Sequence, residues 1–379
     1  MKIVITAERS ADETRVAISP MTVQKYVGLG FDVVIEKDAG LKADFIDQAY
    51  IDAGASIEKN LKKLVKDADV LLSVLRPTAE ELADLPDTAI VVAMLDPYEG
   101  EKELAELTKS GKTSFAMELM PRISRAQSMD VLSSQSNLAG YKSVLEAASE
   151  FGRAFPMMMT AAGTIAPARV FIMGVGVAGL QAIATARRLG AIVTATDVRM
   201  ATKEQVESLG AEFVMVEPDA DDEGETAGGY AKEMSDDYKK RQAELVAGHI
   251  KKQDIVITTA LIPGRPAPEL ISKAMVESMK QGSIIVDLAT SRGGNTPLSK
   301  KDKVIIHKGV KIIGYANLAG RLAQDASNLY SRNLLNFISS LLSEDKTKLE
   351  IDWEDDIITG TLLTKGGKLV HEFYNKGDA

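Results

Sequence analysis

Cysteine is absent from the 379-residue chain, and histidine occurs three times, at His249, His307 and His371. The first absence removes disulfides and thiolate metal sites and suits a reducing compartment. The scarcity of histidine argues against a histidine metal site, because no two of the three are close in sequence. Excess positive charge is missing too: 45 Lys and Arg stand against 54 Asp and Glu, a net charge of -9. Nucleic acid and anionic membrane surfaces call for clustered cations that displace counterions, so neither is expected as a partner. Long apolar runs are also lacking. The longest stretch free of any polar side chain, Val170 to Leu180, falls far short of the roughly 20 residues a spanning helix needs, so no direct membrane span is expected. The N-terminal MKIVITAERSADETR reads as a strand followed by charge, not as a secretory signal. No short-period repeat stands out.

What is present suits a soluble globular protein of two domains, with 45% hydrophobic and 26% charged residues. The first third alternates short apolar runs (KIVIT, DVVIE, ADVLLSVL, AIVVAML, TSFAMEL) with helical patterns. Strands separated by helix-length segments that end in Gly predict a parallel sheet with helices on its faces. Ser19-Pro20 reads as the N-cap and first turn of a helix that stops at Gly28 or Gly30. The segment SNLAGYKSVLEAASEFGRA places Leu138, Tyr141, Val144, Leu145 and Ala148 at the spacing of one helix face. A second alternation follows in ARVFIMG, QAIATARRLG, AIVTATD, EQVESLG, EFVMVE, DIVITTA, SIIVDLA and VKIIGYA, and LYSRNLLNFISSLLSE closes it as a helix. The expected fold class is α/β: two Rossmann-like domains with parallel sheets, joined by a long helix, with the ligand site in the interdomain cleft. The expected division is residues 1–132 with 321–379 as a discontinuous N-terminal domain, and 133–320 as a second Rossmann domain.

The sharpest local motif is MGVGVAGL, in which Gly174, Gly176 and Gly179 form G-x-G-x-x-G around Val177. Such glycines permit a tight turn, let backbone N–H groups approach a pyrophosphate, and allow the helix to pack close to its strand. A strand leads in, a helix leads out, and the next strand ends on Asp197, 18 residues past Gly179. A carboxylate there accepts bonds from an adenosine ribose and repels a 2′-phosphate, which favours NAD; Val198 and Arg199 follow it, and Arg199 leaves the choice against NADP open. After the strand DIVIT, Thr259, Ala260 and Leu261 fall where ligands bind in open α/β sheets, and Pro263, Pro266 and Pro268 either stiffen that wall or merely turn the chain.

Two further stretches ask for a role. PRISRAQSMDVLSSQSNLAGY, residues 121 to 141, crowds two arginines, two glutamines, an aspartate and five serines into what reads as a helix entrance. Between Glu217 and Asp237, nine acidic residues surround Gly228-Gly229-Tyr230, which is either a solvated insertion or a lid. An amino-acid or hydroxy-acid dehydrogenase also needs a group that moves a proton, usually histidine. Here the three histidines read as surface residues. Direct hydride passage between two nicotinamides needs no such group, and Arg122, Gln127, Asp130 and Ser133 would then serve to orient a ring.

Together PRISRAQSMDVLSSQSNLAGY, MGVGVAGLQAIATARRLGA, ATKEQVESLGAEF, TAGGYAKEMSD, TTALIPGRPAP and VDLATSRGGN resemble the NAD(H)-binding domain I of proton-translocating nicotinamide nucleotide transhydrogenase, in the form of its separate soluble alpha-1 subunit. The resemblance runs through essentially the whole chain. It implies a homodimer that binds NAD(H) and docks on a component carrying NADP(H), hydride passing directly while a membrane component translocates protons. It also implies a cytoplasmic protein held peripherally at the inner membrane by its partners. Arg122, Gln127 and Asp130, with Ser133 following, then hold the nicotinamide end; Gly174, Gly176, Gly179 and Asp197 hold the rest; Gly229, Tyr230 and Met234 belong to a mobile loop that closes over it. The chain is similar as well to alanine dehydrogenase, whose substrate arginine matches Arg15. That enzyme's lysine, histidine and catalytic aspartate are replaced by Leu75, Asp96 and Ser291, which leaves Arg15 as a structural or interdomain salt-bridge residue. A stand-alone amino-acid dehydrogenase and an inert dinucleotide-binding module remain the alternatives.

Overall fold

The structure is a computed structural model and describes residues 1–98, 100–216, 235–262, 264–372 and 374. Its strands begin with β1 (Lys2–Ile5), β2 (Asp32–Glu36), β3 (Ser56–Glu58), β4 (Val70–Leu72), β5 (Ile90–Ala93) and β6 (Thr113–Ala116). There follow β7 (Met158–Thr160), β8 (Gly163–Ile165), β9 (Arg169–Met173), β10 (Ile192–Thr196), β11 (Glu212–Phe213), β12 (Ile255–Thr258), β13 (Ile284–Asp287), β14 (Val304–His307) and β15 (Val310–Ile313). Two short strands, β16 (Leu362–Lys365) and β17 (Lys368–Leu369), come last. The chain divides into two compact units, Met1–Gln135 with Gly320–Ala379, and Ser136–Ala319.

Each unit is built on one large sheet. The first runs β3, β2, β1, β4, β5, β6, β16, β17, and the second β11, β10, β9, β12, β13, β15, β14. Both therefore wind outward from a first strand in one direction and then resume beside it in the other, which is the doubly wound order with a switch point next to the first strand. β4, β5, β12 and β13 are buried throughout, as expected of strands covered on both faces.

The sheets are parallel, as expected, except at their edges. β14 pairs antiparallel with β15, and β16 pairs antiparallel with both β6 and β17. A two-residue connection leaves no room for a crossover, so such a pair must be a hairpin. Lys308-Gly309 and Gly366-Gly367 are those connections, and all four residues have positive φ, as primed hairpin turns require.

Helix Ala323–Ser340 completes the first unit's core through Tyr330, Leu334, Phe337 and Ile338, and the Phe337 ring meets Phe115 edge-on at 5.4 Å. Helix Pro20–Gly28 starts after Ser19, whose backbone N–H donates to Thr22 Oγ1 at 3.0 Å, and the chain turns out of it through Gly30 at φ 87°. The long helix Val131–Glu150 forms where expected, and its buried face is shifted from the expected one, sharing Val144 with it. Gly140, Ser143, Val144 and Ala147 are buried, whereas Tyr141 is exposed and Leu138 and Leu145 are only partly covered. The reason is close approach: a Cβ on Gly140 would lie 2.1 Å from the carbonyl oxygen of Ala178. A helix pressed this tightly against its neighbour selects small residues, so the buried face is displaced from the most hydrophobic one. No helix among the described residues is long and apolar enough to cross a membrane.

Candidate functional site

The second unit has its switch point where β9 and β12 lie side by side and the chain leaves them in opposite senses, the place where open α/β sheets form a ligand crevice. Gly174 follows β9 at φ 99°, and a Cβ there would sit 2.6 Å from Thr259 Oγ1. A Cβ on Gly179 would sit 2.0 Å from the carbonyl oxygen of Gly174. Packing of the chain against itself explains both glycines. It does not explain Gly176, because no described atom lies within 4 Å of the position its Cβ would take. The room above Gly176 opens at the N-terminus of helix Val177–Arg188, whose first N–H groups are unpaired by the helix itself. A pyrophosphate fits that combination of bare backbone and donors, so the donor set suits a dinucleotide.

The wall beside the glycines is held firmly. Thr259 Oγ1 donates to the Gly174 carbonyl at 3.0 Å, and Asn295 Nδ2 donates to the carbonyls of Ala260 and Pro268 at 2.9 and 2.8 Å. Asp287, fully buried at the end of β13, accepts from Asn295 N at 2.7 Å and from Ser299 Oγ at 2.5 Å. Asn295 and Asp287 thus shape the segment Thr259, Ala260 and Leu261, and the sequence reading missed both. The Gly293-Gly294 pair just ahead of Asn295 was the available signal. Val177 and Leu261 are exposed at 39% and 46%, which leaves apolar surface at the crevice rim.

At the end of β10, Asp197 is half-buried with Val198 and Arg199 beside it. Its carboxylate accepts from Val175 N at 2.7 Å, from Arg199 N and Nε at 2.9 Å each, and from the terminal Arg199 NH2 at 2.9 Å. The carboxylate expected to meet a ribose therefore points at the glycine loop, and an arginine already holds it.

In the first unit the polar stretch becomes a 3-10 turn, Ser124–Met129, ahead of the long helix. Ala126 and Met129 point into the core, and Arg122, Gln127 and Ser128 are exposed. Asp130 caps the helix: Oδ1 accepts from Ser133 N at 2.9 Å and Oδ2 from Ser133 Oγ at 2.5 Å. Asp130 and Ser133 form one hydrogen-bonded pair, while Arg122 and Gln127 lie at the surface of the same loop.

The first unit's own switch point, between β1 and β4, is filled by the chain itself. Glu8 accepts from Val74 N at 2.6 Å and Leu75 N at 3.2 Å, and burial pushes its carboxyl up to about 7. Glu118 likewise accepts from Asp96 N at 2.6 Å and Leu95 N at 3.0 Å, and burial again pushes the carboxyl up to about 7. Leu75 and Asp96 are held through their backbones at these carboxylates. Arg15 is buried, with its guanidinium on Glu13 at 2.7 and 2.8 Å and on Gln135 at 2.9 Å. All its named partners belong to its own unit, so it braces that unit from within.

The histidines are not simple surface residues. His249 stacks edge-on against Phe171 at 4.7 Å and meets Thr194 Oγ1 at 2.8 Å and Gln253 Nε2 at 2.9 Å; His371 is buried against the Gly360 carbonyl. Burial holds both below the ordinary histidine range. His307 pairs with Glu277 at 2.8 Å. Flanking polarity concealed these positions, because burial depends on contacts from distant strands. Gly229, Tyr230 and Met234 lie outside the described residues, as does Pro263. Among the described residues no group of three or more His, Asp or Glu is placed to hold a metal ion.

An open glycine crevice at a doubly wound switch point defines a dinucleotide-binding oxidoreductase fold, and family models agree. Residues 4–139 match the alanine dehydrogenase/PNT N-terminal domain and residues 143–372 the alanine dehydrogenase/PNT C-terminal domain, so the chain belongs to this family. Within it the chain groups with transhydrogenase alpha subunits. It is 54% identical over 376 residues to the first of the separate parts of the NAD(P) transhydrogenase alpha subunit of Rhodospirillum rubrum, covering 98% of each chain. The solved transhydrogenase structure from Sinorhizobium meliloti is similar with a TM-score of 0.89 and 51% identity, over 98% of this chain and 100% of that one. Alanine dehydrogenase of Halomonas elongata is more distant, at 29% identity over 98% of this chain and 95% of the relative.

Proposed function

We propose that this chain binds NADH in the crevice of its second unit and donates hydride directly to NADP+ held on a partner component, with a membrane component coupling the transfer to proton translocation. The observation that carries the reading is the 54% identity, end to end, to a transhydrogenase alpha subunit, against 29% to an alanine dehydrogenase. Residue chemistry supports it. Leu75 and Asp96 stand where the alanine dehydrogenase resemblance calls for lysine and histidine, and the described histidines are bonded within the fold. When bound, NADH supplies the hydride, so the chain's own task is orientation. Gly174, Gly176, Val177 and Gly179 hold the pyrophosphate; Asp197, Val198 and Arg199 flank the ribose; Thr259, Ala260 and Leu261 form a wall. Arg122 and Gln127 hold the carboxamide side of the nicotinamide, and Asp130 fixes the hydroxyl of Ser133 for the same purpose.

A homodimer belongs to the same reading. The β7–β8 hairpin is exposed along its whole length and carries Met158 at 40%, Met159 at 79% and Ile165 at 38%, apolar surface of the kind that a second copy covers. Attachment at the cytoplasmic face of the inner membrane would come through the partner components. The test is to mix the chain with an NADP(H)-binding component and follow reduction of a spectrally distinct NADP+ analogue by NADH. Transfer that requires both proteins is expected. Turnover of small 2-oxo acids with ammonium and NADH by the chain alone would overturn the reading in favour of an amino-acid dehydrogenase.

A further inference from the structure

A carboxylate offers about four lone-pair sites to hydrogen-bond donors. On Asp197 all four are in use: Val175 N and Arg199 NH2 on one oxygen, Arg199 N and Nε on the other. The two side-chain bonds make a planar fork-to-fork pair, whose side chains are 16% and 7% exposed for Arg199 and Asp197. Arg199 NH2 also reaches the Val175 carbonyl at 3.2 Å, inside the glycine loop. The guanidinium therefore lies over the ground between Asp197 and the glycine turn. A ribose diol cannot bond to Asp197 until the fork of Arg199 gives way, whereas Val175 N and Arg199 N, which are backbone donors, can stay. The displaced guanidinium remains tethered beside Asp197 and the glycine loop, the ground on which the ribose is expected to sit. A planar fork of five donors is the side chain best matched to a phosphate dianion.

We propose that Arg199 sets the nucleotide selectivity of this site as a ready-made receptor for a 2′-phosphate that Asp197 keeps occupied. The inference rests on the second unit being the dinucleotide site. Selectivity for NADH then has two parts: repulsion of a 2′-phosphate by Asp197, and sequestration of the cation that would otherwise accept it. Removing only the carboxylate charge should release the arginine to work for NADPH, and removing both should not.

The test is calorimetric titration of the full chain and three variants, Asp197→Asn, Arg199→Ala and the double variant, with NADH and with NADPH, each checked for a cooperative melt. In Asp197→Asn, NADPH binding should tighten about tenfold or more, the scale of a charge-assisted bidentate pair. In the double variant that gain should vanish. Arg199→Ala alone should tighten NADH binding, because an occupant of Asp197 has been removed. Asp197→Ser serves in place of Asp197→Asn if that variant does not fold. No gain in NADPH affinity, a gain that persists without Arg199, or a tenfold loss of NADH binding in Arg199→Ala would each overturn the proposal. If the unsubstituted chain binds neither nucleotide, the dinucleotide reading fails, whereas the selectivity inference is read from the NADPH comparison among variants.

Discussion

Asn333, on helix Ala323–Ser340, donates through Nδ2 to the carbonyl oxygen of Ser128 at 2.8 Å and accepts on Oδ1 from Ser134 Oγ at 2.8 Å. A single nearly buried amide thus fixes the polar 3-10 turn on one side and the first turn of the following helix on the other. Asn336 adds a second donor to the same carbonyl at 3.0 Å.

Replacing Asn333 by Leu keeps the volume and removes both bonds. The expected cost is about 1–3 kcal/mol of stability, measured by urea unfolding, because Ser134 and Ser128 lose a buried partner. If the turn positions a nicotinamide, hydride transfer should also slow about tenfold or more while NADH affinity changes less than about threefold, since misplacement by ~1 Å costs rate before it costs binding. A loss of stability with unchanged transfer would reduce Asn333 to a structural clamp.

Gln127 is exposed on that turn, and shortening it to Asn moves its amide by one methylene without disturbing the core. Hydride transfer in Gln127→Asn should fall on the order of a hundredfold with near-normal NADH affinity. Stopped-flow transfer rates and equilibrium titration decide it: equal losses in both would make Gln127 a plain binding contact.

The glycines of the crevice should separate cleanly. Gly174→Ala places a methyl 2.6 Å from Thr259 Oγ1 at a φ of 99°, so the melting temperature should drop or folding should fail. Gly176→Ala meets no described atom within 4 Å, so the melt should be nearly unchanged while NADH affinity falls about tenfold or more, through crowding of the pyrophosphate. Full NADH affinity in a folded Gly176→Ala chain would sink the cradle assignment.

Glu8 and Glu118 are both raised from 4.5 to about 7, chiefly by burial, so the folded chain binds their protons more tightly than the unfolded chain does. Between about pH 4.5 and 7 the native state carries the extra protons, and stability should fall as pH rises through that window, by about 3 kcal/mol for each group, then level off above it. Unfolding in urea at a series of pH values tests the sign. Glu118→Gln should flatten the decline, and a rise in stability from pH 5 to 7 would contradict the burial argument.

Much of this was legible because it is periodic or locally punctuated. The apolar runs of β1, β2, β4, β5 and β6, and the strands from β9 to β13, stand out since strands covered on both faces need continuous hydrophobics. Gly174, Gly176, Gly179 and Asp197 were visible as a spacing. The edge hairpins were readable too: Lys308-Gly309 and Gly366-Gly367 are turn dipeptides, but β14 and β17 are short and half-exposed and carry little pattern of their own. The face of helix Val131–Glu150 could be read only in part by hydrophobicity, because contact with Ala178 selects glycine at 140 and leaves Tyr141 outside. In the same way, Asn295, Asp287 and Asn333 work through backbone carbonyls and amides far along the chain, and a carbonyl leaves no mark in a sequence.

Two sheets of the same winding order would ordinarily offer two nucleotide crevices. In the first, Glu8 already supplies carboxyl oxygens to the amides of Val74 and Leu75 where a ligand's phosphate or carboxylate would compete for them. The consequence is a stoichiometry: a nucleotide titration should saturate at one equivalent per chain, and the first sheet is left free to serve as the platform on which the polar turn is mounted.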